Sequence, residues 1–368
     1  MIVKVFFYLY SIINLILLNI LLFLKKIYYK KKIIFFYNPK KNLTKMHTFY
    51  MDDFLLKFDK HNVFFGGKII LFGYFYIKES LLRYIYNVDI FVSNNVCDNF
   101  SHNSKRVYLH HDIYDTPLVE KKKEKEITKR LSKYDFILLP STKSKYIFEK
   151  TFFNVKNKPK ILYLGFYPKL NYLLKKKYTR KKINNNIIIA PTNFCAFPKL
   201  TMQPYLEKLI SHLIKKNYTI TYRPHPSNIK EKKVLSLVKK FRNTKNFKLD
   251  TKSNYFNSYS SSNLMITDIS GTAYTYAFLT KNPVFFYSPN EKIIQKTYYS
   301  NLSYFKDRPK IGKVFLNTKL MIIFLKKNKN YKFKKAFKRN ILDIYKKYFV
   351  KLDYNIFKKL YDEKLNYF

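Results

Sequence analysis

Three clusters of chemically capable residues stand where the sequence predicts a strand giving way to a turn or a helix. The first is Tyr108-Leu109-His110-His111-Asp112-Ile113-Tyr114-Asp115-Thr116-Pro117-Leu118. Two imidazoles beside two carboxylates suit three tasks. They can ligate a metal, act as a base with its orienting carboxylate, or be loop histidines followed by helix-capping aspartates. The second cluster is Arg223-Pro224-His225-Pro226. Arginine offers a planar fork that matches phosphate oxygens. Histidine donates to a phosphate or titrates near neutrality. The prolines hold the turn, and a plain proline turn is the alternative. The third cluster, Thr267-Asp268-Ile269-Ser270-Gly271-Thr272-Ala273, joins an apolar strand to an apolar helix. Ser270, Gly271 and Thr272 fall at that helix's N-terminus, where free N–H groups and the helix dipole favour phosphate. The alternative is an ordinary N-cap.

These clusters stand out against a biased composition. Lys, Asn, Ile, Tyr and Phe abound, Trp is absent, and the first alanine of the chain is Ala190. Such a bias is what A/T-rich codons produce. The formal charge of +49 is then mostly a lysine-rich solvated surface. It favours anionic membranes or phosphorylated substrates. No nucleic-acid-binding motif accompanies it, so no nucleic-acid partner is expected. With only 6 Gly and 13 Pro in the chain, their grouping at Gly165 to Pro168, Ala190-Pro191, Arg223 to Pro226 and Gly271 to Ala273 marks positions that Lys or Asn cannot fill. Cys97 and Cys195 are far apart and read as reduced thiols in a cytosolic body.

The elements that position the clusters alternate. Strands are predicted at Val88 to Ser93, Arg106 to His111, Phe136 to Pro140 and Ile161 to Gly165, with a charged helix over Leu118 to Ser132. A Lys/Asn-rich linker follows, from Lys175 to Asn186. Beyond it come strand Ile187 to Ala190, helix Met202 to Lys216, strand Tyr218 to Tyr222, helix Ile229 to Phe241 and strand Phe247 to Leu249. Helix Tyr255 to Ser262, strand Leu264 to Thr267, helix Thr272 to Leu279 and strand Val284 to Tyr287 complete the series. Leu325 to Phe368 reads as terminal helices. At 368 residues the chain is long enough for two domains. Strand–helix alternation on both sides of a linker implies two doubly wound α/β domains, with ligands at the carboxyl ends of parallel strands.

Val5 to Leu24 is an uncharged run long enough to cross a bilayer as a helix. Lys25, Lys26, Lys30, Lys31 and Lys32 follow it and only Lys4 precedes it. The expectation is a membrane helix with the N-terminus outside and the body on the cytoplasmic face of a plasma or inner membrane. A helix lying in the interface and an ordinary buried element are the alternatives. Ser11, Asn14 and Asn19 interrupt the apolar run.

In order and spacing the clusters resemble the CDP-glycerol glycerophosphotransferase family of teichoic acid and capsule polysaccharide synthesis. Its His-Gly-x-Pro-Leu loop is matched by His111-Asp112 with Thr116-Pro117-Leu118, Asp112 standing in place of the glycine. Its Gly-x-Pro loop is matched by Gly165-Phe166-Tyr167-Pro168, and its Ala-Pro-Thr segment by Ala190-Pro191-Thr192. Its Arg-x-His-Pro segment is matched by Arg223 to Pro226. Its Thr-Asp-x-Ser-Ser turn is matched by Thr267 to Gly271, followed by Asn282-Pro283-Val284-Phe285-Phe286-Tyr287. The resemblance covers roughly Val88 to Tyr287.

The resemblance implies a GT-B fold of two Rossmann-like domains facing a cleft, usually without metal, and no cofactor. The expected layout is an anchor and basic flank over 1–32, an acceptor domain over 33–175, a nucleotide-donor domain over 186–324 and terminal helices over 325–368. By this likeness Arg223, His225, Thr267, Asp268, Ser270, Gly271 and Thr272 bind the donor diphosphate, and His111 or else His110 is the base. The implied reaction moves glycerol phosphate or a related polyol phosphate from a CDP-linked donor to a lipid-linked or polymer acceptor. Two other functions remain open. One is a GT-B glycosyltransferase with a nucleotide-sugar donor. The other is a non-catalytic basic membrane protein that binds polymer.

Overall fold

The computed structural model describes residues 2–30, 32–38, 62–67, 73–110, 121–165, 167–175, 185–252, 254–328, 334–349 and 360. The strands of the first half are Ile34–Asn38 (β1), Val63–Gly67 (β2), Tyr74–Tyr76 (β3), Ile90–Ser93 (β4), Lys105–Leu109 (β5), Phe136–Leu139 (β6) and Lys160–Tyr163 (β7). Those of the second are Asn186–Ile189 (β8), Thr219–Tyr222 (β9), Phe247–Leu249 (β10), Leu264–Thr267 (β11), Val284–Tyr287 (β12) and Gly312–Phe315 (β13). They form two sheets, ordered β3-β2-β1-β4-β5-β6-β7 and β10-β9-β8-β11-β12-β13. All the described pairings are parallel.

The sequence explains this choice. Strands such as Phe-Ile-Leu-Leu, Asn-Ile-Ile-Ile and Val-Phe-Phe-Tyr are buried at every position. Continuous rather than alternating burial is the mark of a parallel sheet covered on both faces by helices. Each sheet reverses its order beside its first strand, at β1/β4 and at β8/β11, and such switch points open a crevice at the strands' carboxyl ends. The expected strands are present, three with the expected bounds and the rest trimmed or shifted by one or two residues. Strands β1 to β3 and β13 are additions that local patterning did not isolate. A Cβ at Gly312 would lie 1.6 Å from the Val284 carbonyl oxygen, so only glycine lets β13 begin against β12.

The two halves share buried surface. One apolar cluster holds Tyr108, Leu139 and Phe148 of the first half with Ala273, Tyr274 and Phe278 of the second. Lys143, just after β6, places Nζ 2.6 Å from Asp307 Oδ2, and Tyr299 donates its hydroxyl to Glu124 at 2.5 Å. The carboxyl edge of the first sheet therefore faces the second domain. Helix Lys334–Tyr348 packs on helix Thr272–Thr280, bringing Tyr345 to 5.8 Å from the Phe278 ring. Lys105 Nζ donates to the Leu360 carbonyl at 2.8 Å, which ties Leu360 to the first sheet. The predicted linker core at 176–184 and the terminal stretches 350–359 and 361–368 lie outside the described residues.

The N-terminal run forms one helix, Ile2–Tyr29, long and apolar enough by length and composition to cross a membrane. Leu15, Leu18 and Leu22 are buried against the first domain.

Candidate functional site

The second sheet assembles the site from its strand ends. Ala190-Pro191-Thr192 follows β8, Arg223 follows β9, Asp250 follows β10 and Asp268 follows β11. Asp268 is buried, and it ties these loops together. Its Oδ1 accepts from the N–H groups of Thr192 and Ile269, both at 2.9 Å. Its Oδ2 accepts from the Met202 N–H at 2.9 Å and the Thr201 hydroxyl at 3.1 Å. Burial pushes this carboxyl up to about 6, against the four hydrogen bonds that favour its ionised form. Thr267 is also buried and donates its hydroxyl to the Ala190 carbonyl at 2.6 Å. Both side chains brace the loops around the β8/β11 switch point from beneath.

Arg223 sits at the neighbouring strand end. Its N–H donates to the Ile189 carbonyl at 2.8 Å, which extends the sheet by one rung. Its Nη1 donates to Asp250 Oδ2 at 2.7 Å, and its guanidinium lies 5.5 Å from the Tyr255 ring centroid. Asp250 is itself held by the Ser258 hydroxyl at 2.5 Å and the Lys252 N–H at 3.0 Å. The fork is thus aimed from two sides, by a carboxylate and an aromatic face. His225 is half-exposed and caps the short turn Pro226–Asn228, its Nδ1 accepting from the Ser227 N–H at 3.2 Å. An accepting Nδ1 places the proton of the neutral ring on Nε2.

Helix Thr272–Thr280 begins directly above the β11 end, with Gly271 as its N-cap at φ −60°. That φ is open to any residue, so backbone conformation does not demand the glycine. Close approach of a ligand to the helix start is a reason that remains. Ser270, Gly271 and Thr272 are half-buried. The Ser270 carbonyl accepts from the Tyr304 hydroxyl at 3.2 Å, and Thr272 shares a short hydrogen bond with the Tyr259 hydroxyl. Tyr259 in turn packs on Tyr255, their centroids 4.6 Å apart. A continuous path, Asp250 to Arg223 to Tyr255 to Tyr259 to Thr272, therefore links two of the predicted clusters.

Arg223 and the Ser270–Thr272 turn do not come from adjacent strands, because β8 lies between β9 and β11. Two strand spacings make about 10 Å, and the tyrosine pair spans that gap. Sequence reading missed Asp250, Tyr255, Tyr259 and Tyr304. Asp250 carried a usable signal, a carboxylate immediately after a strand, as Asp268 is. The i, i+4 spacing of Tyr255 and Tyr259 puts them on one helix face, but with 35 tyrosines in the chain that spacing distinguishes nothing.

On the first domain, His110 directly follows β5 and is fully buried, its ring edge-to-face with Phe148 at 5.4 Å. Its N–H donates to the Leu138 carbonyl at 3.0 Å. His111, Asp112, Asp115, Thr116 and Pro117 lie outside the described residues, as does Phe166. Gly165 has φ +72°, a left-handed turn that explains the glycine of that loop. Among the described residues no group of three His, Cys, Asp or Glu side chains comes together.

A family model described as CDP-Glycerol:Poly(glycerophosphate) glycerophosphotransferase matches residues 86–353. No curated protein matches the sequence. Among solved structures, the wall teichoic acid polymerase TagF superposes with TM-score 0.60 at 18% identity, over 90% of this chain and 88% of that one. A glycosyltransferase from Rickettsia africae gives TM-score 0.55 at 13% identity, over 91% and 100%. S. aureus MnaA, in a co-structure with UDP, gives 0.54 at 11% identity, over 84% and 92%. At these identities the likeness carries the fold, a GT-B arrangement of two parallel α/β domains.

Proposed function

The chain belongs to the CDP-glycerol:poly(glycerophosphate) glycerophosphotransferase family, and on that premise we propose how this glycerophosphotransferase holds its donor and activates its acceptor. The donor diphosphate lies over the carboxyl ends of β8, β9 and β11. Arg223 and the Nε2–H of His225 contact its oxygens, together with the amides that open helix Thr272–Thr280. Ser270 and Thr272 border that helix start, and Gly271 leaves room for the phosphate. Thr267 and Asp268 act from beneath, holding the Ala190–Thr192 loop and the helix start in register. The observation that supports this reading is the path from Asp250 through Arg223, Tyr255 and Tyr259 to Thr272. It fixes an anion-seeking fork and a helix N-terminus on one sheet edge.

The chemistry follows from these groups. An acceptor hydroxyl attacks the phosphorus that bears glycerol, and the bond from that phosphorus to the bridging oxygen breaks. The nucleotide monophosphate leaves with the electron pair, and its growing charge meets Arg223 and the helix amides. The hydroxyl proton passes to His111, the base of the first domain. His110, packed against Phe148, shapes the β5 end instead. The acceptor in this reading is lipid-linked, and transfer takes place on the cytoplasmic face of the membrane. The boundaries 33–175 and 186–324 then separate acceptor from donor binding.

Incubating purified protein with CDP-glycerol, CDP-ribitol and a panel of nucleotide sugars, and following nucleotide release, tests the reading. Release of CMP from a CDP-polyol in the presence of acceptor is the expected result. Release from nucleotide sugars alone would replace it with the glycosyltransferase function, and release from none with a polymer-binding one.

A further inference from the structure

An open cavity of about 360 Å³ lies in the first domain, lined among others by Arg83, Asp98, Phe100, Ser101, His102 and Arg106. Its volume is that of a small-ligand cleft, about 300–1,000 Å³. Arg106 stands near the amino end of β5, and His110 follows the other end of that strand. About 13 Å of extended chain therefore separates the cavity from the edge where the donor and acceptor groups gather.

The walls are fixed by the fold itself. One wall is the turn Glu79–Tyr84, which the N-terminal helix fastens at both ends. Ser11 Oγ accepts from the Lys78 N–H at 2.8 Å, and Asn14 Oδ1 accepts from the Tyr76 N–H at 3.3 Å. Asn19 accepts from the Tyr86 N–H at 3.0 Å and donates to the Tyr84 carbonyl at 2.8 Å. The other wall is the loop 98–104. The Asp98 N–H donates to Glu79 Oε1 at 2.6 Å, and the His102 N–H donates to the Ile85 carbonyl at 2.9 Å. The Ser101 hydroxyl donates to the Ser104 hydroxyl at 2.6 Å. Phe100 anchors this loop, edge-to-face with Phe91 at 5.6 Å and with Tyr134 at 5.0 Å.

The charge of the cavity is positive. Its carboxylate, Asp98, is already engaged at Oδ1 by Arg130 at 3.1 Å and Lys133 at 3.3 Å. Arg106 is aimed by Asp135, Nη2 to Oδ1 at 3.1 Å, and by the Phe100 ring, whose centroid is 5.6 Å from the guanidinium. Arg83 is exposed, its guanidinium 5.9 Å from the Tyr84 ring centroid, and no carboxylate among the described residues pairs with it. A guanidinium with its fork open, beside a second one already held, suits an anion with several oxygens. The phenyl ring of the lining is occupied by Arg106, Phe91 and Tyr134, which favours a non-aromatic anion over a nucleotide.

We propose that this cavity is a non-catalytic site for a phosphodiester of the poly(glycerophosphate) chain on which the enzyme acts. Such a chain carries a phosphate in every repeat, so one long enough to pass round the sheet occupies the cavity and the transfer site together. Holding the chain at one point raises the local concentration of its end at the other, and long acceptors are favoured over short ones. The identity of the polymer rests on the transferase reading above.

The test reads binding alone, on the full chain, by fluorescence anisotropy of a labelled poly(glycerol phosphate) oligomer. The wild type should bind it more tightly than a labelled polyglutamate of equal charge. Arg83→Glu, at an exposed position, should weaken oligomer binding by about tenfold or more, and Arg83→Lys by clearly less. Affinity for CDP, read by calorimetry, should be the same in all three proteins, which separates this site from the donor groove and shows that the fold is kept. Equal oligomer affinity in wild type and Arg83→Glu would overturn the proposal. So would equal binding of polyglutamate, which would reduce the effect to surface charge, or a parallel loss of CDP affinity. No arm measures transfer, so failure of the transferase reading shows in nucleotide release and failure of this site shows here.

Discussion

Arg223 Nη1 and Asp250 Oδ2 meet at 2.7 Å between neighbouring strand ends, with side chains only 10% and 3% exposed. The pair sets the direction of the fork without covering it, since Nη1 alone has a protein acceptor among the described residues. Replacing Asp250 by Asn leaves a mostly buried guanidinium without its counter-charge. That should cost about 3 kcal/mol of stability, read by urea denaturation. An unchanged midpoint would mean that Arg223 relaxes into water and that its aim is not built in.

Arg223→Lys keeps the charge and loses the fork. One ammonium cannot serve Asp250 and a phosphate oxygen at once with the geometry of a guanidinium. Affinity for CDP should fall by about 10- to 100-fold, while affinity for cytidine stays as in the wild type. Calorimetric titration of both ligands decides it. An equal loss for both would move Arg223 away from the diphosphate.

Gly271→Val probes the helix start. At φ −60° valine fits the backbone, so the fold should survive. Its side chain would fill the space in which phosphate meets the first amides. CDP binding should be lost at concentrations that saturate the wild type. Equal affinity would remove this turn from the site.

Substitution separates the two histidines, of which His110 is buried. His111→Ala should lower turnover by about 10²- to 10⁴-fold with donor affinity retained, the range for a positioned base. His110→Ala empties a site beside Phe148 and Tyr108. It should cost about 2–3 kcal/mol of stability with a far smaller effect on turnover. The reverse pattern, in steady-state rates and melting curves, would exchange their roles.

Asp268 gives a pH signature. Its carboxyl rises from 3.8 to about 6 on folding because of burial. A raised carboxyl stabilises the fold fully below the unfolded value, and that contribution disappears as pH climbs through the folded value. The advantage of wild type over Asp268→Asn should therefore shrink between pH 4 and pH 6, by about 3 kcal/mol, and level off above. At neutral pH the variant should still be less stable by about 1–3 kcal/mol, because an amide cannot accept on both of its polar atoms. Denaturation series at several pH values read both effects, and a gap that widens with pH would contradict them.

Much of this was legible in the chain. Short apolar runs broken by charged, helix-spaced stretches encode parallel α/β structure locally, because burial on both faces needs continuous hydrophobicity. Scarce Pro, Gly and Arg in a lysine-rich chain pointed to the strand ends, and the order of the clusters pointed to the family. Other features depended on residues that meet only after folding. Asp268 reaches Thr192 across 76 positions, and Asn14 reaches Tyr76 across 62. No local period records such a meeting. Only the assembled sheet sets β8 between β9 and β11 and gives Tyr255 and Tyr259 the gap they fill. Only docking turns Ser11, Asn14 and Asn19 from blemishes in an apolar run into its fastening. A side chain's role at these places is set by which distant backbone group is left needing a partner, and the tertiary structure alone decides that.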